Sequence, residues 1–241
     1  MNDKTQGFVL QSIRYGDTSL IVKIYTLDYG LQTYMVKGVR GKASKNRAAF
    51  FQPMTFLSFV QNSKPTNSGI GYIKDIELLY AYHSMAATLN KSAILIYLSD
   101  LLSHTLTQQE RNESLYHFVF QSVEWLDLVE SDYANFPLYF TLELSRFLGF
   151  YPQANYSDHR VFDMMEGRFV TTLPSHAYYL DETYSGLLSR MLNLGIDELA
   201  EVPMTGLQRN ALLDGILAFM RMHAPVLKGL HSHEVLKAVL R

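Results

Sequence analysis

Cysteine is absent from this chain of 241 residues, which excludes disulfides, thiolate metal sites and a cysteine nucleophile. Tryptophan occurs once and proline seven times, so few positions interrupt a regular element by themselves. No run approaches the roughly 18–20 consecutive apolar residues of a membrane span. The opening MNDKTQG is polar and lacks an apolar export core, so no export signal is expected and the cytoplasm is the expected compartment. Walker A, GxGxxG, HExxH and GxSxG patterns are all missing. The acid pairs Asp181–Glu182 and Asp197–Glu198 sit at polar helix starts, where carboxylates favour the helix dipole. No enzyme, cofactor or metal is expected.

Nearly half of the chain is hydrophobic (48%) and only 18% is charged, a globular composition with room for one large domain or two modest ones. The net charge of −2 conceals a split: residues 1–80 carry a net +5 and residues 81–241 a net −7. One half is thus suited to a polyanion, although uneven surface charge alone would give the same count. The positive charge concentrates in Met35–Pro53, MVKGVRGKASKNRAAFFQP, where Lys37, Arg40, Lys42, Lys45 and Arg47 occur without an acidic residue among them. Glycines let this segment turn or approach a partner closely, and Phe50–Phe51 anchor it. Basic side chains on a flexible loop rooted in a folded scaffold neutralise phosphates and release counterions.

The first third reads as strands: Gly7–Arg14, Ser19–Leu27, Leu31–Val39, Thr55–Val60 and Ile70–Leu78 mix β-branched, aromatic and polar residues, with turn residues between them. Five short strands in about 75 residues suggest a small closed or nearly closed barrel, with an OB-fold leading. From His83 the apolar period becomes helical. His83–Leu106 places Met85, Leu89, Ala93, Ile96, Leu98, Leu101 and Leu102 on one broad face. Ser114–Val129, Phe136–Phe147, Tyr184–Leu194, Thr205–His223 and Ser232–Leu240 continue it, with Thr205 and Ser232 as candidate caps. Tyr151–Tyr179 interrupts the pattern with prolines and a strand-like GRFVTT (Gly167–Thr172). The expected architecture is multidomain α+β: an OB-fold barrel over residues 1–80, then an α-helical domain over 81–241 with an irregular insert at about 151–180.

Arg14 and Lys23 either extend the basic track over the barrel or are plain surface charge. Lys74 is a weaker candidate, since Asp75 and Glu77 lie beside it. Tyr15, Tyr25 and Tyr34 can stack bases if they face outward, or fill the core if they face inward. His223, His231 and His233 have only Glu234 as an adjacent carboxylate and read as caps or surface residues rather than a metal site. Trp125 reads as a helix-face anchor and Met164–Met165 as a gap filler.

Several islands resemble the RecO family of bacterial recombination and repair mediators: GFVL, YGDTSLIV, VKGVRG and the QP closing the basic segment, then SRFLGFYPQ (Ser145–Gln153), then LLDGILAFMRMHAPVLKGLHSHEVLKAVL (Leu212–Leu240). The resemblance spans nearly the whole chain in the family's order. It implies an N-terminal OB-fold and a helical C-terminal domain, binding to single- and double-stranded DNA, annealing of complementary strands, and a nucleoid-associated cytoplasmic location. It also implies RecR and the acidic tail of single-stranded-DNA-binding protein as partners, with loading of RecA as the outcome. An acidic, apolar-ended tail needs a hydrophobic pocket with a cationic rim, for which Arg146, Arg209 and Arg221 are candidates, unless each caps or pairs within the fold. Many members of the family carry a four-cysteine zinc site after the Leu-Gly-x-x-Pro motif. Here Asn155–Tyr179 has no cysteine, and Asp158, His159 and His176 make a poor ligand set. Packing by Phe162, Phe169 and Tyr179 is expected in place of the zinc. Two other readings remain open: an OB-fold scaffold that binds a polypeptide without direct DNA binding, and a small hydrolase or nuclease with an unrecognised site.

Overall fold

A computed structural model describes residues 3–39, 47–61, 69–107, 110–157 and 160–240. The chain divides into two compact units, Met1–Thr88 with Leu95–Val123, and Leu89–Ile94 with Glu124–Arg241. The first unit therefore extends past residue 80 and takes in parts of the first two helices, α1 (Leu89–Thr105) and α2 (Glu113–Leu128).

In the first unit, β1 (Asp3–Tyr15), β2 (Ser19–Thr26), β3 (Gly30–Val36), β4 (Phe56–Gln61) and β5 (Gly71–Leu78) close into a barrel in the order β1-β2-β3-β5-β4. All neighbours are antiparallel except β3 and β5, as in an OB-fold. Gly16 and Gly30 take the positive φ values of 57° and 63° that the turns around β2 require. Strand alternation turns Val9, Val22, Ile24, Tyr34, Val36, Leu57 and Phe59 inward, each at 3% exposure or less. Burial of each apolar side chain contributes about 1.5–3 kcal/mol. On the outer side of one stretch, Phe8 stacks on Tyr25 and Tyr116, and Phe56 meets Phe120 edge-on at 5.0 Å. That face of the barrel is covered by α2.

Helix α1 starts at Leu89, six residues after the expected His83. Ser84 O accepts from Ala87 N and Thr88 N, which makes a turn of the intervening segment. Most of the expected apolar face is buried, Met85, Ala93, Leu98, Leu101 and Leu102 among it, but two of its residues are not. Leu89 and Ile96 are 74% and 59% exposed, while Ile94, Tyr97, Leu98, Leu101 and Leu102 are fully buried.

The second unit carries α3 (Phe136–Phe147), a three-stranded sheet of β6 (Val161–Asp163), β7 (Arg168–Val170) and β8 (Tyr179–Leu180) in the order β7-β6-β8, then α4 (Glu182–Met191), α5 (Gly206–His223) and α6 (Ser232–Val239). Thr205 caps α5 in a reciprocal box with Gln208, and Asp181 Oδ1 accepts from Tyr184 N to cap α4. Ser232 is not a cap: it is the first residue of α6, and His231 occupies the cap position without a side-chain bond. Trp125 stacks on Phe136 and donates its indole N–H to Asp197, the anchoring role expected of it. Met164 is buried but Met165 is 54% exposed, so only the first fills a gap.

The insert is more regular than its composition suggested. Phe162 and Phe169 are buried 5.1 Å apart, and Phe162 meets Phe219 of α5 at 5.5 Å. Tyr179 is half-buried. Asp163 Oδ1 accepts from Met165 N and Glu166 N, and its other oxygen lies 3.4 Å from His176 Nε2. His176 Nδ1 accepts from Tyr178 N, so the ring is held at both nitrogens. Asp158 and His159 lie outside the described residues. No described helix is long and apolar enough to cross a membrane.

Candidate nucleic-acid interface

Cross-strand register decides which side chains share the outside of the barrel, because residues directly opposite each other point to the same face. Ile13 of β1 faces Ile21 of β2, Ile21 faces Met35 of β3, and Met35 faces Tyr72 of β5. Their inward neighbours Val22, Tyr34 and Ile73 are buried, so this row lies on the outer wall. Ile13 is 50% and Tyr72 41% exposed, and Ile21 and Met35 are half-buried. An apolar row thus crosses four strands without a covering element among the described residues of this unit.

Cations border the row on both sides. Lys23, exposed on β2, lies in register with Gln11 and Thr33. On the other side Lys37 follows β3, and its ammonium sits 5.0 Å from the centroid of the Tyr72 ring, a cation–π geometry. Lys74 is exposed two residues beyond Tyr72 on β5. Tyr15, opposite Ser19 and 53% exposed, continues the face on the hairpin. No carboxylate occurs among these positions.

Gly38 turns the chain at φ 71° after Lys37, and Arg47 leads into a short 3-10 turn, Ala48–Phe51, pinned by the buried Phe51. Arg40, Lys42 and Lys45 lie outside the described residues. Lys37, Arg47 and Lys74 line one hollow of about 610 Å³, together with Asp75 and Glu77. Lys74 therefore shares this hollow with Lys37 and Arg47 as well as with its acidic neighbours. Glu77 pairs with Lys4 at 3.4 Å.

Two aromatic candidates are corrected. Tyr34 is fully buried, packs edge-on against Phe59 and donates its hydroxyl to Gln61 Oε1; burial raises its pKa. It is a core residue and cannot stack a base. Tyr25 is 2% exposed, stacked on Phe8, and donates to Glu110 O. Arg14 is exposed but lies opposite the inward Leu20, on the side of the hairpin away from Lys23. Tyr72, Met35, Ile21 and Ile13 were missed. The alternation of exposed Lys23 with Ile21 was the one signal for them in the sequence.

The three arginines of the second unit each have partners within the fold. Arg146 forks onto Glu143 and lies 3.9 Å over the Tyr151 ring. Arg209 is committed internally, donating to Asn135 Oδ1 and Met204 O, and burial lowers its pKa. Arg221 lies twelve residues further along α5, about 18 Å at the helical rise, and donates to Leu227 O. His223 stacks on Phe150, meets Phe219 at a tilt and bonds Met164 O. Among the described residues one group of three potential metal ligands comes together, Asp214 with His233 and Glu234. Lys237 already bridges both carboxylates, at 2.9 and 3.1 Å, and its hydrogen bond holds Glu234 below the usual carboxylate range. An ammonium thus occupies the place a cation would take. Burial and the nearby Arg221 keep His233 below its ordinary pKa.

Comparison with known proteins gives two family matches. The model described as Recombination protein O N terminal matches residues 1–82, and Recombination protein O C terminal matches residues 86–231. Among similar curated proteins are those named DNA repair protein RecO from Flavobacterium psychrophilum, 33% identical with 99% of each chain covered, and from Phocaeicola vulgatus, 31% identical with 98% of each covered. Another of that name, from Christiangramia forsetii, is 33% identical over 91% of each chain.

Proposed function

The chain belongs to the RecO family, and from that premise we propose that it is a cytoplasmic, nucleoid-associated recombination mediator whose barrel holds DNA through its outer wall. A mediator role in DNA repair, without catalytic turnover, follows from membership. The finer reading concerns how it works. Lys23, Lys37 and Lys74, with Arg47 and the neighbouring Arg40, Lys42 and Lys45, neutralise phosphates largely without regard to sequence. The apolar row Ile13–Ile21–Met35–Tyr72 offers faces on which unpaired bases stack. Screening phosphate repulsion on two strands at once favours their pairing, which is the physical content of annealing. RecR, the tail of single-stranded-DNA-binding protein and, indirectly, RecA are the partners proposed by family.

The observation that carries this reading is a solvent-facing apolar row bordered by lysines on both sides with no carboxylate in it. The test is a titration of labelled single- and double-stranded DNA, between about 50 and 200 mM salt, against the wild type and the Lys37→Glu/Arg40→Glu/Lys42→Glu variant. The wild type should bind with a steep salt dependence, and the reversed variant should lose most of its affinity while melting normally. Unchanged affinity in that variant sinks the basic segment as the site. An absence of DNA binding by the wild type leaves the polypeptide-binding scaffold.

A further inference from the structure

Where β5 passes Phe59 of β4, the pairing slips. Glu77 lies opposite Ser58 and Lys74 opposite Val60, so Asp75 and Ile76 together face a single residue. This is a β-bulge, a device that re-aims side chains and recurs beside functional sites. Asp75 takes φ 51°, a left-handed conformation that carries a strain cost for any residue but glycine. The bulge sets Asp75 on the hollow that Lys37, Arg47 and Lys74 line. Glu77 is engaged by Lys4, whereas the Asp75 carboxylate has no ion pair among the described residues.

The rest of the hollow is apolar. Val36, Val39, Phe51 and Ile73 belong to the barrel core, each at 9% exposure or less, with Phe50 packed against them. A cleft for phosphate alone is weakened by carboxylates, which repel the anion. An apolar floor with cations and a free carboxylate on its rim instead suits a planar, polar-edged ring that carries a phosphate, and about 610 Å³ falls within the size range of such sites.

Resting on the DNA-binding role proposed above, we infer that this hollow seats one unpaired nucleobase of the bound strand. Its phosphate lies on Lys37 or Arg47, and the base edge donates to Asp75. A carboxylate best accepts two parallel N–H groups. Guanine presents two side by side on its Watson–Crick edge, whereas thymine presents one between two carbonyl oxygens that a carboxylate repels. The seat therefore favours guanine over thymine. It is closed to a paired base, because pairing occupies the same edge, so the device separates unpaired strand from duplex.

The test uses the full chain and three labelled strands of about 12 nucleotides, within the usual span of one OB-fold: all thymidine, thymidine with one central guanine, and an abasic strand with the same phosphates. Fluorescence anisotropy should show the guanine strand binding at least about fivefold tighter than the thymidine strand. Asp75→Gly should erase that difference while leaving abasic binding equal or tighter, since one repelling charge is gone. Glycine relieves the left-handed strain, so the variant should melt no lower than the wild type. Equal binding of the guanine and thymidine strands by the wild type, or a difference that survives Asp75→Gly, overturns the seat and leaves the DNA-binding role standing. Failure of all three strands to bind overturns both.

Discussion

Tyr34 and Met35 are adjacent on β3, yet one is sealed in the barrel and the other lies on its outer wall. A period of two makes function at this scale a matter of parity. Lys23 and Lys37 could be recognised from charge alone, since a lone charge on a half-buried strand must face water. Tyrosine gives no such signal, because it suits a core and a surface equally. The Tyr34/Tyr72 pair puts this to the test. Tyr72→Ala should weaken single-stranded DNA binding by about 1–3 kcal/mol with little change in melting, since the ring is 41% exposed. Tyr34→Phe should leave DNA affinity unchanged and lower stability by about 1 kcal/mol, because Gln61 loses a buried donor. Anisotropy and denaturant melts on both variants give the two readouts. The opposite pattern would mean that the barrel binds through another face.

At the scale of elements, periodicity located the strands and most helices to within a few residues, since apolar spacing is set by the backbone repeat. Boundaries shifted where a local bond competed, as at Ser84 before α1. The insert was the hardest segment to read. Strands of two or three residues such as β6 and β8 are too short to show a period, and only β7 was legible, inside the expected Gly167–Thr172. The insert is held together by the contacts of Phe162 with Phe169 and Phe219 and by the Asp163–His176 pair. Phe162→Ala should therefore cost about 3–5 kcal/mol and lower the melting temperature, whereas a strong chelator should not shift the melting of the wild type. A large drop on chelation would mean that a metal holds this fold after all.

For the whole molecule, the split of +5 in residues 1–80 against −7 in the remainder favours a polyanion on the first part of the chain and disfavours it on the rest. Annealing of complementary strands should accordingly be accelerated at low salt and fall back toward the uncatalysed rate as salt rises, following counterion release of about 0.7 per phosphate contact on a single strand. A stopped-flow annealing assay across a salt series checks this; acceleration that persists at high salt would point to a mechanism other than charge screening. Composition, period and motif order determined on their own the barrel-then-helices plan, the basic segment and the family, because each is a property of neighbours along the chain. Closure of the barrel through the parallel β3–β5 pair, the apolar row it assembles from four strands, and the arrival of Lys74 and Asp75 beside Lys37 were decided by tertiary structure alone. They depend on register between strands far apart in sequence, which no local pattern encodes.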